Sequence, residues 1–176
     1  MAIKEEKNKG HDIFRVLSDI IKGRTVIVGV GNVLRGDDAF GPALIEQIKD
    51  NINAVCIDAG SAPENYLGKI IKEKPDNVLI VDAAHIDLTP GEYMLLKKDE
   101  IIRSGFTTHD LSPVMFIEYL EKETGADIYM LGIQPEKIDF GEKMSKKVKD
   151  TLEEIKDQFI QIDERSETSR PLKKGQ

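Results

Sequence analysis

Apolar residues fall along this chain in two rhythms, and the rhythms predict its elements. Val26-Ile27-Val28-Gly29-Val30 is an unbroken, largely β-branched run, the mark of a strand buried on both faces of a parallel sheet. Similar runs recur at 54–58, 77–82 and 128–133. Each of the first two runs is followed by a helical pattern. After the first, Gly41-Pro42 opens a helix, with proline in the first turn where its missing N–H costs little, and Leu44, Ile45 and Ile48 on one face. After the second, Ser61 and Glu64 read as a capping box starting a helix. After the third comes a turn, Thr89-Pro90-Gly91, then a short strand at 92–96. No crossover helix long enough to keep that strand parallel precedes it, so it is expected at an edge and antiparallel. Ser112-Pro113 starts a further helix with Met115, Phe116, Tyr119 and Leu120 as its inward stripe. The last helix is expected over 142–162, with Met144, Val148, Leu152, Ile155 and Phe159 inward, and a short first helix over 12–21. Alternation of this kind predicts an α/β protein: three layers, αβα, around a mostly parallel five-stranded sheet.

With 176 residues there is room for one core. The expected division is an N-terminal extension with its short helix (1–23), the main domain (24–162) and a polar, disordered tail (163–176). A net charge of -7 disfavours nucleic acid and anionic membranes as partners and suits a cationic ligand. No apolar run approaches the roughly 20 residues that span a bilayer. The first residues are charged and lack a signal peptide's apolar segment, and the single cysteine excludes an internal disulfide. A cytoplasmic protein is expected. Cys56, inside an apolar strand, reads as an inert thiol.

The candidate chemistry lies in the acids. Asp37 and Asp38 follow the first strand, Asp58 ends the second and Asp82 the third. In an open parallel sheet these ends share the edge where ligands bind. A dinucleotide site fails, because Leu34 stands where the third glycine is needed and two carboxylates would face a pyrophosphate. An aspartate dyad sharing a proton and activating water is a second reading. A divalent metal held by carboxylates and an imidazole is a third. His85 and His109 are both candidates for that imidazole, whereas His11 is remote in sequence.

Gly29-x-Gly31-Asn32-x-Leu34-x-x-Asp37-Asp38-Ala39-x-Gly41 resembles the N-terminal signature of the [NiFe]-hydrogenase maturation endopeptidases. Asp58-Ala59-Gly60-Ser61-Ala62-Pro63-Glu64-Asn65, Leu79-Ile80-Val81-Asp82-Ala83, Pro90-Gly91-Glu92, Thr107-Thr108-His109 and Leu131-Gly132-Ile133-Gln134-Pro135 follow in the family's order. The likeness spans roughly 25–155 and is greatest to the branch serving the formate-hydrogenlyase hydrogenase. It implies a twisted five-stranded sheet between helical layers. It implies an endopeptidase that removes the C-terminal extension of the hydrogenase large-subunit precursor once nickel is inserted. By the same resemblance Asp38, Asp82 and His109 are the metal-contacting and catalytic trio, and the nickel is the substrate's own. Ala39 stands where many members carry glycine. His85 has no family counterpart, and Asp58 is left a supporting place beside the trio.

Overall fold

A computed structural model of the chain describes residues 10–104 and 113–168. Five strands form one sheet in the order β2-β1-β3-β5-β4, with β1 Thr25–Val30, β2 Val55–Gly60, β3 Asn77–Ala83, β4 Tyr93–Lys97 and β5 Asp127–Ile133. The first three strands and β5 run parallel, and β4 pairs antiparallel to β5 at the edge. The β-branched runs occupy the centre, where β1 is buried along its whole length.

Helices cover both faces. On one lie α1 (Gly10–Ile21), α2 (Phe40–Ile48) and α6 (Lys146–Thr168), joined through Leu17, Phe40, Leu44, Ile155 and Phe159 to Ile27, Leu79 and Leu131 of the sheet. On the other lie α3 (Leu67–Lys72), α4 (Lys98–Ser104) and α5 (Pro113–Thr124), which pack Ile70, Ile101, Ile117 and Leu120 against Val28, Ile80 and Met130. Each such side chain, fully buried, contributes about 1.5–3 kcal/mol of hydrophobic stabilisation.

Several expectations need correcting. The segment 1–23 is not wholly an appendage: α1 sends Ile13, Leu17 and Ile20 into the core. The last helix starts later than its pattern suggested and runs past residue 162 to Thr168. Asp163, expected in the tail, is buried, and its carboxylate accepts the Asn53 N–H at 3.0 Å, which continues the helix through a polar sequence. No capping box forms at Ser61. Pro63 opens a 3-10 turn, Pro63–Tyr66, so Ala62 takes the cap position without a side-chain bond. On α5 the inward stripe is Phe116, Ile117 and Leu120, while Met115 and Tyr119 face solvent. The first crossover helix begins at Phe40, behind a 3-10 turn, Gly36–Ala39, that the apolar rhythm did not mark.

This 3-10 turn is set against the sheet by two glycines. A β-carbon on Gly41 would lie 2.3 Å from the Val30 carbonyl and 2.5 Å from that of Val81. One on Gly29 would lie 2.5 Å from the Gly41 carbonyl. The start of α2 therefore touches the ends of β1 and β3 backbone to backbone, and carries Asp38 with it.

Candidate active site

Asp38 and Asp82 are both buried, at 7% and 1% exposure. Asp38 lies in the 3-10 turn after β1, and its Oδ2 accepts the Asn32 N–H at 3.0 Å. Asn32 is itself fixed, since its side-chain oxygen accepts the Leu34 N–H at 2.9 Å. Gly31 makes this cradle possible: its φ is +141°, and a β-carbon there would fall 1.8 Å from the Asp38 carbonyl oxygen. Asp82 is the penultimate residue of β3. Its Oδ1 is buried and has no hydrogen-bond partner among the described residues. Burial holds the Asp82 carboxyl well above the usual carboxylate range, and the negative charge of Asp38 pushes it further, against a smaller opposing pull from the Ala83 N–H. The site thus pairs two acids at the carboxyl edge of the sheet, one held in place and one short of a partner.

Asp37 has a different task. Fully buried, it accepts four hydrogen bonds: from the N–H groups of Glu136 (2.8 Å), Lys137 (3.0 Å) and Ser145 (2.6 Å), and from the Ser145 hydroxyl (3.0 Å). It ties the loop after β1 to the loop after β5, so adjacent aspartates face separate structures.

Asp58 stands apart from the pair. Across the sheet it is in register with Gly29 and, through Gly29, with Val81. Side chains alternate along a strand, so Asp58 shares the face of Val81, and Asp82 projects to the other. Asp58 is exposed, and its Oδ1 accepts the Gly60 N–H at 2.9 Å. His85 is half-buried, with Nδ1 3.3 Å from the Gln134 amide nitrogen. Among the described residues no three His, Cys, Asp or Glu side chains come together as a metal would need, so neither His85 nor Asp58 completes a trio with the two acids. His109 falls outside the described residues. Cys56 is half-buried, and burial raises its thiol to about 11, consistent with an unreactive side chain.

Two supporting residues were not singled out by their chemistry. Asn32 cradles Asp38, and its only signal was its place after Gly31. Gln134 is buried at the end of β5, and its Oε1 accepts the N–H groups of Ile86 (2.8 Å) and Leu88 (3.4 Å). It thereby holds the segment that leaves Asp82.

The profile of the hydrogenase maturation protease family, HycI type, matches residues 40–162, more than half of the chain. The chain belongs to that family. It is a hydrogenase maturation endopeptidase, a hydrolase. Among relatives of this protease, a putative hydrogenase maturation protease of Methanocaldococcus jannaschii is 37% identical over 154 residues, covering 76% of this chain and 90% of that protein. The hydrogenase 3 maturation protease of Escherichia coli K12 is 38% identical over 133 residues, covering 74% and 85%. The crystal structure of the [NiFe] hydrogenase maturation protease HycI from Thermococcus kodakarensis superposes with a TM-score of 0.77 at 34% identity, covering 85% of this chain and 99% of that one. The maturation protease fold is therefore the α/β fold expected from the sequence.

Proposed function

We propose that this endopeptidase removes the C-terminal extension of a [NiFe]-hydrogenase large-subunit precursor after nickel insertion, and that it meets the substrate's nickel through Asp38, Asp82 and His109. The observation that carries the reading is the orphaned, buried Oδ1 of Asp82 beside a second carboxylate. A buried polar atom left unpaired costs about 1–3 kcal/mol, and a cation arriving with the substrate would repay that cost. Carboxylate oxygens suit a divalent first-row ion, and a two-acid edge leaves coordination positions for ligands from the substrate. His109 enters through the family resemblance alone. Nickel so held would fix the cleavage segment against the acids or polarise the scissile carbonyl. The chain's own residues have defined parts: Asn32 orients Asp38, Asp38 raises the proton affinity of Asp82, and Gln134 holds the segment after Asp82. We place this activity in the cytoplasm; among the described residues no helix is long and apolar enough to cross a membrane.

One observation favours a second reading. An acid pair in which one charge lifts the other's pKa is also how two aspartates share a proton and activate water without metal. Precursor prepared with and without nickel, offered to wild type, Asp38→Asn and His109→Ala, separates the two. Expected is cleavage of the nickel-loaded precursor by wild type only, with at least a 10–100-fold loss in either variant. Efficient cleavage of nickel-free precursor would leave the dyad as the better account.

A further inference from the structure

The loops that the Asp37 carboxylate ties together expose a group of large apolar side chains. Val33, Leu34 and Phe140 are 63%, 56% and 76% exposed, and they make up three of the five large hydrophobic side chains exposed among the described residues. They come from segments about a hundred positions apart. Four bonds besides those to the Asp37 carboxylate join these segments: the Gly141 N–H donates to the Leu34 carbonyl at 2.8 Å, the Gly36 N–H to the Glu142 carbonyl at 3.2 Å, the Asp37 N–H to the Lys137 carbonyl at 2.9 Å, and Arg35 Nε to the Ile138 carbonyl at 3.1 Å. Gly36 closes the junction at φ +52°, where a β-carbon would lie 2.7 Å from the Lys137 carbonyl. The support beneath the apolar tips is thus braced, with a fully buried carboxylate at its centre. Folding alone gives no reason to display three such tips on a braced support.

We propose that Val33, Leu34 and Phe140 form the docking face for the folded body of the protein substrate, next to the segment that is cut. The proposal rests on the substrate named above, a hydrogenase large-subunit precursor. Continuity with the site identifies the occupant. Val33 and Leu34 directly follow Asn32, whose N–H holds Asp38, so the loop that carries the tips also carries the acid. A polypeptide reaching Asp38 and Asp82 passes this loop. The setting matches the anatomy of a protein interface, an apolar centre within a charged rim. Arg35, Glu136, Lys137, Asp139, Glu142 and Lys143 flank the tips, and Lys137 already pairs with Glu142 at 2.6 Å, so the rim carries both signs and part of its charge is satisfied internally. Projecting tips fit a recess on a macromolecule, whereas a small molecule is taken up by a concavity.

The test uses the full chain and nickel-loaded large-subunit precursor. Leu34→Ser, Phe140→Ser, their combination and the charge-introducing Phe140→Lys are compared with wild type for KM and kcat of cleavage. Binding is measured separately in an Asp82→Asn background, expected not to cut, and each surface variant is compared with that background alone. Truncating central interface residues commonly weakens binding several-fold each. Expected is a KM raised about 5–10-fold by single changes and more by the pair, with kcat within about twofold and melting temperatures unchanged. Unchanged KM and affinity in the double variant and in Phe140→Lys would overturn the docking face while leaving the endopeptidase reading intact. Failure of wild type to cut the precursor would overturn that reading and the docking face with it. Self-association of wild type that Phe140→Lys abolishes would assign the tips to a second copy of the chain and overturn the proposal.

Discussion

Replacing Asp82 by asparagine should make the metal-free protein more stable, and increasingly so as pH rises. Asp82 is 1% exposed with one oxygen unpartnered among the described residues, and both burial and the Asp38 charge disfavour its ionised form. Its folded pKa lies above the unfolded value near 3.9, so between the two the folded state holds the extra proton. Stability then falls as pH climbs through that window, and the whole penalty is present above it. Asparagine keeps the shape and removes the charge. At pH 4 variant and wild type should unfold alike. At pH 8 the variant should gain at least about 1–3 kcal/mol, the cost of an uncompensated buried polar group and a lower bound for a charged one. For a chain of this size each kcal/mol moves the midpoint by about 2–4 °C. Thermal and urea unfolding in a chelator, at intervals from pH 4 to 8, measure the difference directly. A variant that parallels wild type across that range, or is less stable at pH 8, would refute the reasoning, since Asp82 would then bear its charge without cost.

Asp37→Asn should behave oppositely. It weakens four hydrogen bonds to a buried carboxylate, and a loss of about 3 kcal/mol or more is expected in urea unfolding, with cleavage falling because the Asp38 loop loosens. Gly31→Ala drives a methyl into the Asp38 carbonyl, so cleavage should fall by at least tenfold, while circular dichroism still reports a folded α/β protein. Deleting residues 163–176 removes the buried acceptor of the Asn53 N–H and the last turns of α6, and should cost about 1–3 kcal/mol by thermal unfolding.

The sheet was legible because its strands are apolar runs, and a run such as 26–30 needs no partner to declare itself. The edge position of β4 was legible from the short connection before it. Faces were harder to read. Whether Asp58 or Asp82 projects with Asp38 depends on cross-strand register, which is fixed by contacts between β1, β2 and β3 and by an irregularity between Gly29 and Val30. Asp37 and Asp38 look equivalent in sequence. The partners that distinguish them lie 99 to 108 residues away for Asp37 and six away for Asp38. The helical end of the chain was misread for a similar reason: Asp163 is polar, and its burial depends on Asn53, 110 residues earlier. On α5, Met115 and Ile117 are both apolar and two positions apart, so composition could not say which one faces the core. His109 came from the family's motif, not from its own surroundings.

The contact of Gly29 and Gly41 has a consequence for how this protein can vary. Where a helix rests on a sheet through side chains, their volumes set the gap, and every change in the core shifts the helix. Here main-chain atoms meet first and act as a hard stop. The spacing of the Asp38 turn from the end of β3 is therefore decoupled from the bulk of the residues behind it. Shaving Leu44 or Ile48 would weaken the fold and leave the separation of the acids where it is. Divergence of the interior can proceed at constant reaction geometry so long as those two positions keep no side chain.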